Sequence, residues 1–174
     1  MRWLPFQLNP DLPESGITRE EYVARKFGAR GKGVNERVIM AGRRVGIPFD
    51  YEKMKVQPNT LNAHRLMVFA ERAGKQDALA EELFRAHFTE GANLTDRETL
   101  AGIAARAGLD PRAVADYLAG DEDRERVRQA DAEARTMGIN GVPFFIPNRN
   151  IGVSGAQDAE ALLEAMEQSL QKQG

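Results

Sequence analysis

GINGVPFFIP, residues 138–147, is the stretch of sequence that decides the fold. Its two glycines indicate a loop, and the Val142–Pro143 step leads directly into an apolar segment at 144–146. Because proline has no N–H for a sheet ladder, it is found at the start or edge of a strand. The cis isomer accounts for only about 5–6% of X-Pro bonds in folded proteins. The pattern alone therefore predicts a loop that enters an edge strand.

The residues after this strand predict a hairpin followed by a helix. Asn148-Arg149-Asn150 has turn-forming composition, and Ile151-Gly152-Val153 predicts a second short strand. Ser154-Gly155-Ala156-Gln157 then opens a helix that continues to about residue 171. Four apolar residues at helical spacing mark its expected buried side: Leu162, Leu163, Met166 and Leu170. A loop with a proline, a hairpin and a terminal helix together make up the second half of a thioredoxin fold.

Composition narrows the classes of function. The net charge of −2 provides no basic footprint, so we expect no nucleic-acid partner. No apolar run approaches the roughly 18 residues needed to cross a bilayer, so we expect no membrane association. The first residues contain no segment typical of a signal peptide, which favours a cytoplasmic location. The 174 residues include no cysteine, which excludes disulfides, thiolate chemistry and cysteine-ligated metal for this chain.

The segment before residue 138 predicts one short strand and then a series of helices. Residues 2–8 contain four apolar side chains and predict a strand that ends at the prolines of 10–13. Sequence patterns typical of helix starts occur at 18–21, 95–98 and 110–111. We therefore divide the chain into a strand at 1–12, an inserted helical domain at 13–137, and the loop, hairpin and last helix at 138–174.

Few residues are candidates for chemistry. His87 is expected on an apolar helix face, where a histidine is usually structural, and no pair of histidines has a spacing suited to a metal. No serine lies in a nucleophile elbow. We assign no catalytic residue, no metal site and no cofactor.

Several motifs together resemble one family. GVPFF at 141–145 and GVSGAQ at 152–157 are similar to the DsbA family, in particular its FrnE-like cytoplasmic branch. The segments at 2–10, 22–28, 58–66 and 83–86 extend the resemblance over nearly the whole chain. The resemblance implies an α/β, thioredoxin-like (DsbA-type) fold with a large inserted α-helical domain, and a cis bond before Pro143.

The resemblance also implies which residues contact a substrate. The loop before the cis-proline offers its backbone to an extended protein segment, and here that loop contains Val142 and Pro143. Asn59, Thr60 and His64 match a helix start that lies near the active site in relatives. The family is expected to act on a thiol- or disulfide-containing protein substrate.

One departure from the family pattern changes the expectation for activity. Relatives carry a Cys-x-x-Cys pair at the start of a first helix, where the thiol pKa is lowered. Here the chain begins where a relative would enter its second strand, so the first strand, the first helix and the cysteines are expected to be missing. Removing that strand would leave sheet edges unpaired. We therefore expect a homo-oligomer that forms through the strand edge at 144–146. A less favoured alternative is that the strand at 2–8 shifts into the place of the missing strand, so that no association is needed.

Three functions remain open from the sequence. The first is a disulfide oxidoreductase by descent that is incomplete or redox-inactive in this cysteine-free chain. The second is a relative of the glutathione-dependent 2-hydroxychromene-2-carboxylate isomerases and kappa-class transferases. In that group a Ser-Asp pair opens the last helix and holds glutathione. Here Gly155 and Ala156 take those places, which makes this function less favoured. The start of a helix can nevertheless bind a carboxylate through its free N–H groups. The third is a non-catalytic module that binds an extended peptide.

Overall fold

Helices dominate the structure, a computed structural model that describes residues 1–28, 33 and 35–171. Within these residues there are eight α-helices, one short 3-10 helix and four strands of two residues each. None of the helices in this part of the chain is both long and apolar enough to cross a membrane. In chain order the elements are β1 (Ile17–Thr18), α1 (Arg19–Phe27), α2 (Glu36–Arg44), β2 (Val56–Gln57), α3 (Leu61–Arg72), α4 (Gln76–Phe88), α5 (Arg97–Arg106), α6 (Pro111–Ala119), α7 (Arg124–Thr136), β3 (Phe144–Phe145), a 3-10 turn (Pro147–Arg149), β4 (Val153–Ser154) and α8 (Ala159–Gln171).

The chain forms two compact units, Met1–Arg128 and Gln129–Gly174. The first unit therefore includes residues 1–12 together with the helices that the sequence analysis assigned to a separate domain. The boundary between the units falls within α7.

Helices α3 to α6 build the core of the first unit. Their apolar side chains recur at helical spacing and meet in one cluster, in which Leu66, Leu79, Leu100 and Val114 are fully buried. Burying one such side chain contributes about 1.5–3 kcal/mol. The packing of these four helices therefore supplies most of the apolar burial in this unit.

Two of the three predicted helix starts are confirmed. The Thr18 hydroxyl accepts from the Glu21 N–H, and the Asp110 carboxylate accepts from the Arg112 N–H with Pro111 at the first helical position. The third prediction, a capping box beginning at Thr95, is wrong by one residue. Asp96 is the N-cap of α5, because its carboxylate accepts from the Thr99 N–H at 2.8 Å.

A fully buried arginine joins α3 to the end of α6 and the segment that follows it. The Arg65 guanidinium on α3 donates to the carbonyl oxygens of Tyr117, Gly120 and Glu122 at 2.7–3.0 Å. It also donates to the Asn62 side chain and lies 5.1 Å from the centre of the Tyr117 ring. The carbonyls that α6 leaves unpaired at its end thus find a charged donor.

The prediction of a strand at residues 2–8 is wrong. These residues form no strand, because a strand requires a hydrogen-bonded partner and the main chain here bonds instead to a side chain. The Trp3 N–H donates to Gln76 Oε1 at 3.1 Å, and Gln76 Nε2 donates to the Trp3 carbonyl at 3.2 Å. The strand pair that does form in this unit, β1 antiparallel to β2, was not predicted.

The second unit consists of the end of α7, the β3–β4 hairpin and α8. The two strands are antiparallel, with Phe144 opposite Ser154 and Phe145 opposite Val153. The second strand therefore lies at 153–154 instead of 151–153, and α8 begins at Ala159 instead of 157. The prediction that four apolar residues of α8 form its buried side is also wrong for three of them, since Leu163, Met166 and Leu170 are exposed.

Candidate functional site

The loop that enters β3 is the best-defined part of the candidate site. The peptide bond between Val142 and Pro143 is cis, the isomer that the family resemblance implies. The Pro143 carbonyl accepts a hydrogen bond of 2.8 Å from the N–H of Gly155. Gly155 has φ of +83°, a left-handed conformation that glycine adopts without a steric penalty. Residues 142–143 and 155–156 are thus brought together.

This loop faces solvent. Val142 is 48% exposed, and Pro143 and Ala156 are also exposed, whereas Gly155 is half-buried. Gly155 and Ala156 precede α8 by several residues, so they do not open the helix as the sequence analysis expected. The surface they form with Val142 and Pro143 is accessible to a macromolecule.

A hydrogen-bond network that the sequence analysis missed fixes the far end of the hairpin. Asn148 Nδ2 donates to Ser169 Oγ at 2.9 Å, and Asn150 Nδ2 donates to the Ser169 carbonyl at 3.0 Å. Ser169, fully buried, donates in turn to the Met166 carbonyl at 2.6 Å. The two asparagines bracket Arg149, which has φ of +61°. The only signal in the sequence is the Asn-x-Asn spacing, which predicts a turn and not its partner on α8.

Asn59, at the start of α3, bonds extensively within the first unit. It is 8% exposed. Its Nδ2 donates to the Leu12 carbonyl at 2.6 Å, while its Oδ1 accepts from Gln7 Nε2 at 3.3 Å and from the Leu61 N–H at 2.9 Å. The side-chain amide therefore anchors the N-terminal segment and the first turn of α3, and little of it faces solvent.

The other two predicted residues of this helix start are more accessible. Thr60 is the N-cap residue of α3 and is half-buried, without a capping bond from its own side chain. His64 is half-buried in the first turn. Asn59, Thr60 and His64 thus occupy one place in the first unit, and the four loop residues occupy one place in the second.

The remaining titratable groups do not assemble into a reactive centre. No group of three or more metal-binding side chains occurs in the part of the chain that the structure describes. His87 is 7% exposed, and its Nδ1 lies 3.3 Å from the Ala92 carbonyl. Burial lowers the pKa of His87, and the contact with the Ala92 carbonyl offsets part of this decrease. An imidazole kept neutral among the helices is the structural histidine that the sequence analysis expected.

Comparison with known proteins agrees with this geometry. The sequence profile of the DSBA-like thioredoxin domain matches residues 1–167. The structure is similar to a crystal structure from Streptomyces coelicolor described as a probable DsbA oxidoreductase, with a TM-score of 0.86 and 28% sequence identity. The similarity covers 95% of this chain and 73% of that chain. No curated protein matches by sequence.

The fold class expected from the sequence is therefore confirmed: an α/β, thioredoxin-like fold of the DsbA type, rich in helices and poor in strands. The profile extends over both compact units, so the helices of the first unit and the hairpin of the second form parts of one family domain. By this match, the chain belongs to the family of DSBA-like thioredoxin domains.

Proposed function

We propose that this chain is a FrnE-like member of its family and that its Val142–Pro143 loop binds an extended segment of a thiol- or disulfide-containing protein. In the cysteine-free form described here, it binds that segment without redox turnover. The observation that carries the proposal is the exposed loop at 142–143, which is held on Gly155 and continues directly into a strand edge.

The strand edge suits an extended ligand. Within the described residues, β3 pairs with β4 alone, so one side of β3 has no strand partner. An extended peptide can add to such an edge through main-chain hydrogen bonds, while side-chain contacts provide selectivity. The exposed side chains of Val142 and Ile146, at either end of β3, offer apolar contacts for alternate residues of the ligand.

The absence of cysteine determines what happens after binding. Disulfide exchange proceeds by attack of a thiolate on a disulfide sulfur. Since no residue of this sequence can form a thiolate, a bound disulfide or dithiol leaves chemically unchanged. The oxidoreductase activity typical of the family then requires cysteines that this sequence does not contain.

We also propose that the protein acts in the cytoplasm. The support for this location is the resemblance to the FrnE-like branch, which is cytoplasmic. Cell fractionation with an antibody against the chain should place it with cytoplasmic markers. Recovery with an exported fraction would contradict the location and leave the peptide-binding proposal intact.

Peptide binding provides the direct test. Fluorescence anisotropy should detect binding of labelled extended peptides rich in apolar residues, and an insulin reduction assay should match the control without protein. Substituting Val142→Glu places a charge at the apolar contact and should weaken peptide binding about tenfold, which is about 1.4 kcal/mol. The control is Leu8→Glu, at a similarly exposed position in the first unit, which should leave binding unchanged.

Two outcomes would overturn the proposal. Equal peptide affinity for the Val142→Glu and Leu8→Glu variants would show that the loop is not the binding surface. Calorimetric binding of glutathione, in the absence of any peptide binding, would favour the glutathione-dependent group instead.

A further inference from the structure

Helix α8 carries an apolar stripe that the rest of the second unit does not cover. Leu163, Met166 and Leu170 are 57%, 48% and 64% exposed. Their spacing of three and four residues places them on one side of the helix. The adjacent side, which carries the buried Ser169, bonds to the hairpin. We call these three residues the α8 stripe.

A row of carboxylates runs along the solvent border of the α8 stripe. Glu160, Glu164 and Glu167 are exposed and also recur at helical spacing. Helix α8 has no basic residue in its last turn, and none of the three glutamates forms an ion pair with a described residue. A partner for this face therefore needs apolar side chains bordered by positive charge.

Helix α2, in the first unit, presents such a face. Val38, 43% exposed, and the exposed Ala41 share one side of the helix. Val45, 71% exposed, follows them at the C-cap of the helix. Arg37 and Arg44 border these residues and form no ion pair with a described residue. We call Val38, Ala41 and Val45 the α2 stripe.

One position beside these residues is already packed. Gly42 is buried, and a side chain at this position would clash with the ring of Phe49. The helix is thus held on its own unit at Gly42, while the residues of the α2 stripe remain exposed beside it. Each of the two helices therefore has a packed position and, next to it, exposed apolar residues bordered by charge.

We propose that the α2 stripe of one copy of this chain docks on the α8 stripe of a second copy. Apolar residues then meet along the contact, and Arg37 and Arg44 lie against the glutamate row of α8. Opposite charges arranged in this way fix the pairing and exclude contacts of α2 with α2 or of α8 with α8. Each copy has both surfaces and can therefore contact other copies through either of them.

The expected association is weak. Helix α2 has nine residues, which corresponds to a length of about 14 Å at 1.5 Å per residue. A contact of this length is small compared with the roughly 1,200–2,000 Å² buried in stable complexes. Self-association should therefore occur in the micromolar range and weaken as salt screens the charges.

Charge reversal provides a specific test by analytical ultracentrifugation. One variant carries Arg37→Glu and Arg44→Glu, and a second carries Glu160→Lys, Glu164→Lys and Glu167→Lys. Each variant alone should remain monomeric at concentrations where the unmodified chain associates. An equimolar mixture of the two should associate again, because both contacts between unlike variants then pair opposite charges. The control is a Glu81→Lys and Glu133→Lys double variant, with exposed positions outside both stripes, which should associate like the unmodified chain.

The proposal is overturned if the unmodified chain is monomeric throughout the micromolar range. It is also overturned if the charge-reversed variants still associate, which would indicate another surface such as the strand edge at 144–146. A third contrary result concerns the unfolding midpoint of the charge-reversed variants. If this midpoint changes by the same amount at all protein concentrations, and if combining both reversals in one chain restores it, the charges interact within one molecule and not between copies.

Discussion

The N–H of Gly155 donates to the carbonyl oxygen of Pro143 across 2.8 Å, which ties the loop before β3 to the loop before α8. The bond extends the contact between the strands β3 and β4 beyond their two paired residues. It leaves the preceding residue, Val142, exposed at the surface where we propose that a peptide binds. The orientation of that surface thus depends on the conformation of a glycine that is distant in sequence.

Substituting Gly155→Ala should destabilise the second unit and weaken peptide binding. A residue with a side chain loses about 1–2 kcal/mol in the left-handed conformation found at Gly155. Denaturant unfolding and peptide anisotropy measure the two effects. Gly141→Ala is a matched control, because a side chain there meets no atom within 4 Å and its φ lies outside the left-handed range. Equal losses in both variants would argue against the role of the Gly155 conformation.

Substituting Asn59→Ala should release the N-terminal segment from the first unit. The change removes the acceptor of the Gln7 side chain and the donor to the Leu12 carbonyl, each partly or fully buried. A buried group left unsatisfied costs about 1–3 kcal/mol. Limited proteolysis should then cut within residues 1–12 faster than in the unmodified chain, with Asn59→Asp intermediate because it keeps the acceptor. A loss of peptide binding with unchanged proteolysis would instead support the substrate contact expected from the sequence.

Substituting Arg65→Met should lower the free energy of unfolding by about 3 kcal/mol. The variant keeps an apolar stem of similar length but leaves carbonyl oxygens of 117, 120 and 122 without their donor. Thermal unfolding followed by circular dichroism measures the loss. The comparison is Arg25→Met, which removes an arginine whose ion pair with Glu21 lies at the surface and should cost less than about 1 kcal/mol. Similar losses for the two arginines would contradict the importance of burial.

His87 should make stability depend on pH below neutrality. Burial lowers its pKa in the folded chain, so the unfolded chain binds a proton first. Stability is therefore highest above the unfolded value of about 6.5 and falls as the pH decreases from there through the folded pKa. Unfolding curves recorded between about pH 7 and 5 should show this decline, and His87→Leu should flatten it. An unchanged slope in the variant would assign the decline to another group.

Local signals predicted local structure well. Thr18 and Asp110 accept from the N–H groups of their own helices, and such contacts depend on residues only two or three positions away. Residues 2–8 show the limit of this approach. Their apolar pattern is compatible with a strand, but Gln76, more than seventy positions along the chain, takes the main-chain bonds that a strand would need.

The candidate site shows the same division. The turn at 148–150 was identified from residue types, and Pro143 and Gly155 were identified as site residues from the family resemblance. The bond from Gly155 to Pro143 and the role of Ser169, in contrast, arise from tertiary contacts. Helical periodicity identified the apolar residues of α8. It could not show that three of them are exposed, because periodicity indicates that a side is apolar and not what covers it.

The amide side chains that hold the N-terminal segment have a consequence for how the sequence can vary. Gln76 contacts Trp3 through the main-chain N–H and carbonyl, and Asn59 contacts Leu12 through its carbonyl. Main-chain groups are the same in every residue other than proline. A saturation mutagenesis survey should therefore find position 12 tolerant of most side chains and positions 59 and 76 intolerant. The residues that fix the conformation of the N-terminal segment then lie in α4 and directly before α3, and not in the segment itself.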